Sequence, residues 1–423
     1  MRLLLYICRV LVGSLFIVSG LIKANDTLGF SYKLQEYFEP GVLGWTWLEP
    51  YALPIAMLIC VGEVVLGVAV VLGGRMRISA WFLLGLILFF TWLTFYSAYF
   101  DKVTDCGCFG DAIKLTPWQS FSKDVVLLVL IVPIFLFRRR ITFNTLQEDL
   151  GMMGASLVLI ALFAFGMLGW GFPVMFTAVV YGLALAVKQL MKHTRSEWIV
   201  GGVATLACVL FVHRTYAHLP LKDFRPYAIG KSIPEEMKVP EGMEGDIYET
   251  RLTYRNKGTG EVKDFSQSDY PWDDPEWEWV STDNTLVKKG YTPPIHDLQF
   301  LDEDGVDNTA SILEEASPIL LVIAKNTEDT DASVLPAIKA LADAAFRKGW
   351  YVYGLTASPY EHSEDLRHRY QLPFDFLQCD ETTLKTIVRS NPGILLLQQG
   401  VVRGKWHAND VPTLADAELQ VAS

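Results

Sequence analysis

Long apolar runs fill the first half of the chain and are missing from the second half. A helix needs about 20 consecutive apolar residues to cross the roughly 30 Å hydrocarbon core of a bilayer, and the runs approach or reach that length. No small-residue cleavage site follows the first run, so we expect it to be retained as a span. The pattern predicts a multi-span α-helical membrane bundle of about seven spans, at residues 3–22, 51–73, 78–99, 122–137, 151–169, 172–188 and 197–213.

The fifth and sixth spans are joined by a very short loop. Gly169-Trp170-Gly171 alone separates the fifth run from the sixth, so these two runs must form a tight hairpin. The later stretch 214–290 predicts a β-rich connector, with a hairpin that turns at 257–260. Its acidic, Trp-rich part, 270–279, is either a docking surface or a segment whose tryptophans fold back and pack, and we favour packing.

Beyond residue 291, short apolar strands alternate with amphipathic helices. Strands are predicted at 318–325, 350–357 and 374–379, helices at 332–349, 361–371 and 381–390, and a closing hairpin at 393–406. Strands that alternate with helices and end in a hairpin predict an α/β domain with a mixed sheet.

Charge separates the two halves and predicts their orientation. Residues 1–220 carry 16 Lys+Arg and 12 Asp+Glu, and the remaining residues carry 20 and 35, which sum to the 36 and 47 of the whole chain. The acidic second half argues against nucleic-acid partners and against docking on anionic lipid. The basic residues that follow the second, fourth and sixth spans all fall on the side of Met1, and the positive-inside rule assigns that side to the cytoplasm. We therefore expect a bacterial inner-membrane protein with a cytoplasmic N-terminus and a periplasmic C-terminal domain.

Three ionisable residues lie in or beside the predicted spans. Glu63 is in the middle of the second span, where a carboxylate costs about 2.5–3.5 kcal/mol on insertion scales. We expect it to face the bundle interior with a partner, as a neutral packing residue or as a functional one. Lys23 and Asp124 are at span ends, and we interpret both as interfacial residues that reach towards water.

Two of the six cysteines lie outside the spans and close together. Cys106 and Cys108 flank one glycine in the loop before the fourth span, whereas Cys8, Cys60 and Cys208 are inside apolar runs. A disulfide across C-G-C closes a small, strained ring, and strained, exposed disulfides are typically labile or catalytic. The alternatives are a static disulfide, two free thiols, or half of a zinc site. We favour a redox role and predict no metal.

Residues 3–137 resemble the DoxX/MauE group of four-span membrane proteins. The matching pieces are Arg9–Gly13, Ser19–Lys23, Glu63 with Gly67, the CGCFG stretch 106–110, and Trp118 with Asp124. The resemblance implies a link to the maturation of methylamine dehydrogenase, which needs disulfide formation, and to quinone reduction. The wider shape resembles quinone-linked enzymes of the vitamin K epoxide reductase type. Those use C-x-x-C and a second cysteine pair, whereas this chain has C-x-C and no second pair at 23–50.

The second half resembles a periplasmic thioredoxin-like domain of the TlpA type. The stretch 297–308 matches the opening hairpin of that family, and Asn391-Pro392 matches its cis-proline position. The family's C-x-x-C is replaced by 326–331, which contains no cysteine. The resemblance therefore implies a binding module in which Asn391 and Pro392 hold an extended peptide by strand pairing. Cys379 is interpreted as a buried structural thiol.

These observations predict four segments and two rival functions. The segments are a DoxX/MauE-like domain at 1–140, three further spans at 141–213, the connector at 214–290 and the thioredoxin-like domain at 291–423, an arrangement that resembles DoxX-family proteins of Bacteroidota. We expect Cys106 and Cys108 to exchange thiol and disulfide with a membrane quinone as cofactor, while Glu63 tunes the pocket or binds a proton. The alternative is a non-enzymatic scaffold that binds a periplasmic or membrane protein partner; a transporter is the weakest interpretation. Membrane lipid is a partner in every case.

Overall fold

A computed structural model describes residues 1–103, 107–191, 196–245, 247–266, 269–272, 274–288 and 290–422. Within these ranges, seven helical segments are long and apolar enough to cross a membrane, and the prediction of seven spans is confirmed. The spans are Arg2–Asn25, Thr46–Leu72, Met76–Phe100, Pro117–Leu136, Leu146–Leu168, Phe172–Leu190 and Ser196–Ala217.

Side-chain caps mark the starts of some helices of the bundle. We label them α1 (Arg2–Asn25), α2 (Thr27–Phe38), α3 (Ala52–Leu72), α4 (Met76–Phe100), α5 (Pro117–Leu136), α6 (Leu146–Phe163), α7 (Phe172–Leu190) and α8 (Ser196–Ala217). Thr116 with Gln119 and Thr145 with Glu148 form capping boxes at the starts of α5 and α6. Gly169, with φ +55°, ends the short turn after α6, and the hairpin to α7 is confirmed.

Helices α1 and α3 cross at a very short distance through small residues. A Cβ placed on Gly13 would lie 2.8 Å from the Gly67 carbonyl oxygen, and one on Gly67 would lie 2.7 Å from the Gly13 carbonyl oxygen. Without a hydrophobic driving force between helices in lipid, such close backbone packing is a main source of association. A third glycine, Gly20, meets Val64 and the Cys60 carbonyl in the same way. This crossing fixes where the polar residues of α1 and α3 meet.

The α/β domain contains a mixed five-stranded sheet. Its strands are β4 (Ile319–Ile323), β5 (Tyr351–Thr356), β6 (Phe376–Gln378), β7 (Gly393–Gln398) and β8 (Val401–His407), in the order β6-β5-β4-β7-β8. Strands β4, β5 and β6 run parallel, and β7 is antiparallel to β4 and β8. The helices are α10 (Thr309–Glu314), α11 (Leu335–Arg347), α12 (Tyr360–Tyr370), α13 (Glu381–Ile387) and α14 (Leu414–Ala422). The strand order is thioredoxin-like, and the fold class predicted from the sequence is confirmed.

The predicted opening hairpin at 297–308 is reduced to a bridge between Leu301 and Asp307 in this part of the structure.

The cores on the two faces of the sheet explain the hydrophobic pattern: alternate residues of β4 point to opposite faces. Leu321 packs with Leu395 on one face, whereas Val322 packs with Ile394 on the other.

The connector divides into two parts. A three-stranded antiparallel sheet contains β1 (Ile247–Asn256), β2 (Val262–Ser266) and β3 (Trp277–Lys288), in the order β2-β1-β3. Trp277 packs edge-on against Phe265, whereas Trp272 and Trp279 are exposed. The part before this sheet includes the short helix α9 (Ile233–Glu236), and there Tyr227 and Ile233 join the core of the α/β domain.

Candidate functional site

Cys108 lies at a small cavity where four helices of the bundle meet. Cys106 lies outside the described residues. The cavity has a volume of about 30 Å³, enough for one or two water molecules. Its polar lining residues are Ser19, Lys23, Glu63, Cys108, Lys123 and Asp124, and its apolar ones are Leu15, Phe16, Ile87, Phe90, Phe109 and Leu127. The structure therefore brings Cys108 and Glu63, two of the predicted site residues, to one place.

A buried ion pair joins α1 to α3 in this cavity. The Lys23 ammonium is 2.5 Å from the Glu63 carboxylate, and each side chain is 4% exposed. The interpretation of Lys23 as an interfacial residue that reaches towards water is therefore wrong. A buried carboxylate on α3 offers the ammonium a charge-assisted hydrogen bond inside the bundle. Glu63 faces the bundle interior with a partner, as expected from the free-energy cost of placing a carboxylate within the membrane.

A short hydrogen-bonded chain connects this ion pair to the cysteine loop. The Lys23 ammonium also donates to the Ser19 hydroxyl at 3.1 Å. The Ser19 hydroxyl donates in turn to the backbone carbonyl of Cys108 at 3.4 Å. Ser19 and Lys23 are one helical turn apart on α1, so both face the loop. The second carboxylate oxygen of Glu63 is buried and has no hydrogen-bond partner among the described residues, so it can accept a proton or a water molecule.

A second buried carboxylate lies on the opposite wall of the cavity. Asp124 is 1% exposed, accepts a hydrogen bond from the Thr94 hydroxyl at 3.1 Å, and pairs with Lys123 at 2.5 Å. The Lys123 ammonium also lies 5.5 Å from the centre of the Phe109 ring, beside Cys108. The interpretation of Asp124 as an interfacial residue is wrong for the same reason as for Lys23: partners in the bundle replace its water.

Two cations therefore converge on a loop whose neighbours in sequence are acidic. From Asp105 and Asp111 alone, the thiols of the loop would be expected to resist ionisation. Lys23 and Lys123 line the same cavity as Cys108, and an ammonium close to a thiol favours the thiolate. Each ammonium is paired with a carboxylate of the cavity, which offsets its field. Sequence reasoning missed this arrangement, since the two lysines come from different helices. The one available signal was that Ser19 and Lys23 share a face of α1.

The described residues contain no group of three or more His, Cys, Asp or Glu side chains placed to hold a metal ion. The chemistry available at the cavity is that of thiols, ammonium groups and carboxylates. The cavity thus brings a thiol, two ammonium groups and two carboxylates together, and groups of these kinds can exchange protons.

The predicted partner-binding residues of the α/β domain lie on its cis-proline loop. The Asn391-Pro392 peptide bond is cis, and Pro392 is buried. The Asn391 amide donates to the carbonyl of Asn326 at 2.8 Å, at the start of the segment that replaces the C-x-x-C. Cys379 is buried, and burial raises the pKa of its thiol to about 12. This thiol stays protonated, which suits the interpretation of Cys379 as structural.

The same face of the α/β domain contacts the bundle close to the cysteine loop. Arg389 is 2.9 Å from the carboxylate of Asp26, which caps α2, and 3.1 Å from that of Asp111. The Lys325 ammonium donates to the Tyr32 hydroxyl on α2 at 2.6 Å. Burial in the contact lowers the pKa of Lys325 to about 8, with help from the nearby cations, and burial raises that of Tyr32 to about 12.

Two family models match parts of the chain. Residues 1–137 match the family model described as "Methylamine utilisation protein MauE", and residues 248–289 match one described as "Domain of unknown function (DUF8463)". The bundle with its buried ion pair and cysteine loop is thus the MauE-like part of a membrane protein. The resemblance of 3–137 to MauE proteins is confirmed.

Individual proteins match smaller parts of the chain. Protein TlpB of Flavobacterium psychrophilum is 27% identical over 135 residues, which make up 31% of this chain and 36% of that relative. The match thus spans little more than a third of the relative's length. Among solved structures, StoA from Bacillus subtilis is 14% identical with a TM-score of 0.23, and the match covers 29% of this chain and 94% of StoA. The bacterioferritin comigratory protein of Xanthomonas campestris is 14% identical with a TM-score of 0.22, over 30% and 88% of the two chains.

Proposed function

We propose that this membrane protein exchanges thiols and disulfides through Cys106 and Cys108, with a membrane quinone as the electron carrier. The observation that supports the proposal best is the position of Cys108 beside the Lys23–Glu63 pair, in a cavity that also contains Lys123 and Asp124. Reactive cysteines typically lie near cations that favour the thiolate. The match of residues 1–137 to the MauE model adds a family whose resemblance implies disulfide formation.

The exchange balances without a metal ion. A thiolate of the pair attacks a disulfide of a partner protein, and a mixed disulfide forms as the partner's second sulfur leaves. The other cysteine then resolves it, so the pair is oxidised and the partner is left as a dithiol. Reversal of these steps oxidises the partner. When the partner is oxidised, the pair is left as a dithiol, and two electrons and two protons pass from it to the quinone, which becomes a quinol. When the partner is reduced, a quinol supplies two electrons and two protons to the disulfide of the pair and becomes a quinone. In this proposal, Glu63 and Lys23 bind the proton that is exchanged closest to the two cysteines.

The quinone itself would bind outside the described cavity. A volume of about 30 Å³ accommodates water molecules and not a quinone ring. We therefore infer that the ring approaches the cysteine loop from the lipid, at the level where α1 and α4 end and α5 begins. Trp118, in the first turn of α5, is exposed and offers aromatic surface there.

Replacing Cys106 and Cys108 with serine is expected to abolish quinone-dependent thiol oxidation by the purified full-length protein. The reduced protein would be mixed with a soluble quinone, trapped by alkylation, and mapped by mass spectrometry to the peptide that contains both cysteines. Wild type should lose alkylation at both positions together. The Cys379→Ser variant is the matched control and should behave like wild type. If the pair never changes redox state, the proposal fails and the scaffold function takes its place.

A second prediction concerns orientation, which we propose to be N-terminus in the cytoplasm and α/β domain in the periplasm. The support is the basic character of the loops after the second, fourth and sixth spans. Alkaline phosphatase fused after Pro220 should therefore be active, because it folds only where disulfides form. A fusion after Gly74 should be inactive. The reverse result, with activity after Gly74 alone, would contradict the orientation.

The non-enzymatic scaffold stays the second candidate, and one observation favours it. The α/β domain has no cysteine where the C-x-x-C of a thioredoxin would be, so it cannot transfer electrons there. In that case its role is binding. A double serine variant at 106 and 108 with an unchanged cellular phenotype would support the scaffold, whereas loss of the phenotype at normal expression supports redox exchange.

A further inference from the structure

The contact between the α/β domain and the bundle is built from charges of opposite sign. Three cations of the domain surround one tyrosine ring of α2: Lys325, Lys385 and Arg389 lie 5.2, 5.1 and 5.5 Å from the centre of Tyr32. Arg389 also bridges two carboxylates, those of Asp26 and Asp111. Its side chain is 8% exposed, so this ion pair is shielded from solvent. A domain that is acidic overall thus presents a basic face to the membrane bundle.

The acidic side of this contact is continuous with the cysteine loop. Asp111 follows Cys108 by three residues, in the short turn Gly110–Ala112. Lys33, the neighbour of Tyr32 on α2, packs so closely over Gly107 that a Cβ there would lie 3.1 Å from Lys33 Cγ. The same short helix, α2, and the same turn, Gly110–Ala112, therefore lie between the α/β domain and the cysteine loop and contact both.

A glycine makes the close approach of Arg389 possible. A Cβ placed on Gly29 would lie 2.6 Å from the Arg389 guanidinium and 2.5 Å from the Asp26 carboxylate. Gly29 is in the first turn of α2, where alanine would be the better helix former by about 1 kcal/mol. The glycine at this position thus leaves room both for the Asp26 carboxylate that caps α2 and for the guanidinium of Arg389 that pairs with it.

We propose that the thioredoxin-like domain is a resident cover for the cysteine loop of its own bundle, latched by Arg389 between Asp26 and Asp111. The face beside the cis-proline is the one with which a thioredoxin fold commonly holds a peptide, and here it holds α2 and the turn after Cys108. A partner protein reaches Cys108 only when this latch is released. The cover gives the domain a role that needs no cysteine. The proposed cover rests on the proposed function in one respect: control of access matters only if Cys106 and Cys108 exchange thiols and disulfides.

The test compares access to the loop in three variants of the full-length reduced protein in detergent. Arg389→Ala removes the latch. Gly29→Ala places a Cβ against the Arg389 guanidinium and so forces it away from Asp26. Arg369→Ala is the matched control, because Arg369 pairs with Asp365 on an exposed face of α12. Two maleimides are used, one small and one carrying a large polyethylene glycol chain. Loss of a charged hydrogen-bonded pair predicts that the large reagent gains roughly tenfold in rate relative to the small one in the first two variants.

Hydrogen exchange provides a readout that does not depend on thiol reactivity. Backbone amides of residues 107–116 should exchange faster in the Arg389→Ala and Gly29→Ala variants and unchanged in Arg369→Ala. Unchanged exchange and an unchanged rate ratio in both latch variants, with the proteins still folded, would overturn the cover. A cover that opens as expected over cysteines that never respond to quinone would instead refute the proposed redox function alone.

Discussion

Glu63→Gln is expected to destabilise the bundle by about 3–5 kcal/mol, because it leaves the Lys23 ammonium buried without its counter-charge. Both side chains are almost fully buried, and the second oxygen of Glu63 has no partner in the described structure. Lys23→Met should cost a similar amount, since it leaves the carboxylate alone. Replacing both charges together, as Lys23→Met with Glu63→Leu, should recover most of the loss, because apolar pairs often replace buried ion pairs at little cost.

Thermal unfolding of the purified protein in detergent, followed by tryptophan fluorescence, measures these changes. Glu39→Gln is the matched control, since Glu39 is exposed just after α2. An unchanged transition in Glu63→Gln would contradict the prediction. The double variant has a second use, because we expect it to fold without the charges of Lys23 and Glu63, while Lys123 and Asp124 remain. Slower thiol exchange in that variant would assign the charges to the chemistry of Cys106 and Cys108 and not to stability.

The second large effect is expected at Asp223, where the chain passes from α8 into the α/β domain. Its carboxylate is 2.7 Å from the Arg225 guanidinium and 2.9 Å from the Lys405 ammonium of β8. Arg225 is 2% exposed and Lys405 is 7% exposed. Asp223→Ala leaves these cations buried without a counter-charge, and we expect a loss of about 3–5 kcal/mol in the stability of the α/β domain.

This second effect should depend on pH in a defined direction. Burial acts to raise the pKa of Asp223, but Arg225 and Lys405 outweigh it and hold the pKa well below its ordinary value of 3.8. A carboxyl with a depressed pKa stabilises the fold above its unfolded pKa and loses that contribution as pH falls towards the folded value. The part of the stability difference between wild type and Asp223→Ala that comes from the Asp223 carboxylate should therefore narrow below about pH 4.

Limited proteolysis of the full-length protein across this pH range measures that difference. Glu236→Ala is the matched control, because its pair with Lys231 is on the surface and such pairs contribute about 0–1 kcal/mol. Equal protease resistance of wild type and Asp223→Ala at pH 7 would contradict the assignment.

The sequence alone was sufficient to predict those elements that follow from the local pattern of apolar and polar residues. Apolar runs longer than a bilayer core predict spans, and β4, buried on both faces, reads as a continuous apolar strand. These spans and strands depend on local spacing, which a single chain displays directly. The cis bond before Pro392 was expected from the resemblance to thioredoxin-like domains of the TlpA type, and it is present.

Other features depend on contacts between distant residues, and sequence reasoning missed them. Lys23 was placed at the membrane surface because nothing in its neighbourhood shows that Glu63, 40 residues later, lies within 2.5 Å. Strand β3 was not predicted, because its pairing with β1 is tertiary. The positions of Asn391 and Pro392 were predicted, whereas the contact made by Arg389, two residues earlier, was not. Asn391 and Pro392 stay predictions as partner-binding residues.

The ion pair between Arg389 and Asp111 also sets an order of events during biosynthesis. The two residues are 278 positions apart in the chain, so the membrane half leaves the ribosome long before Arg389 exists. At about 5–20 residues per second, that interval lasts roughly 15–60 s. Throughout it, the nascent protein holds its cysteine loop beside a membrane that the C-terminal domain has not yet reached. Under the proposed cover, Cys108 is therefore left uncovered for that interval.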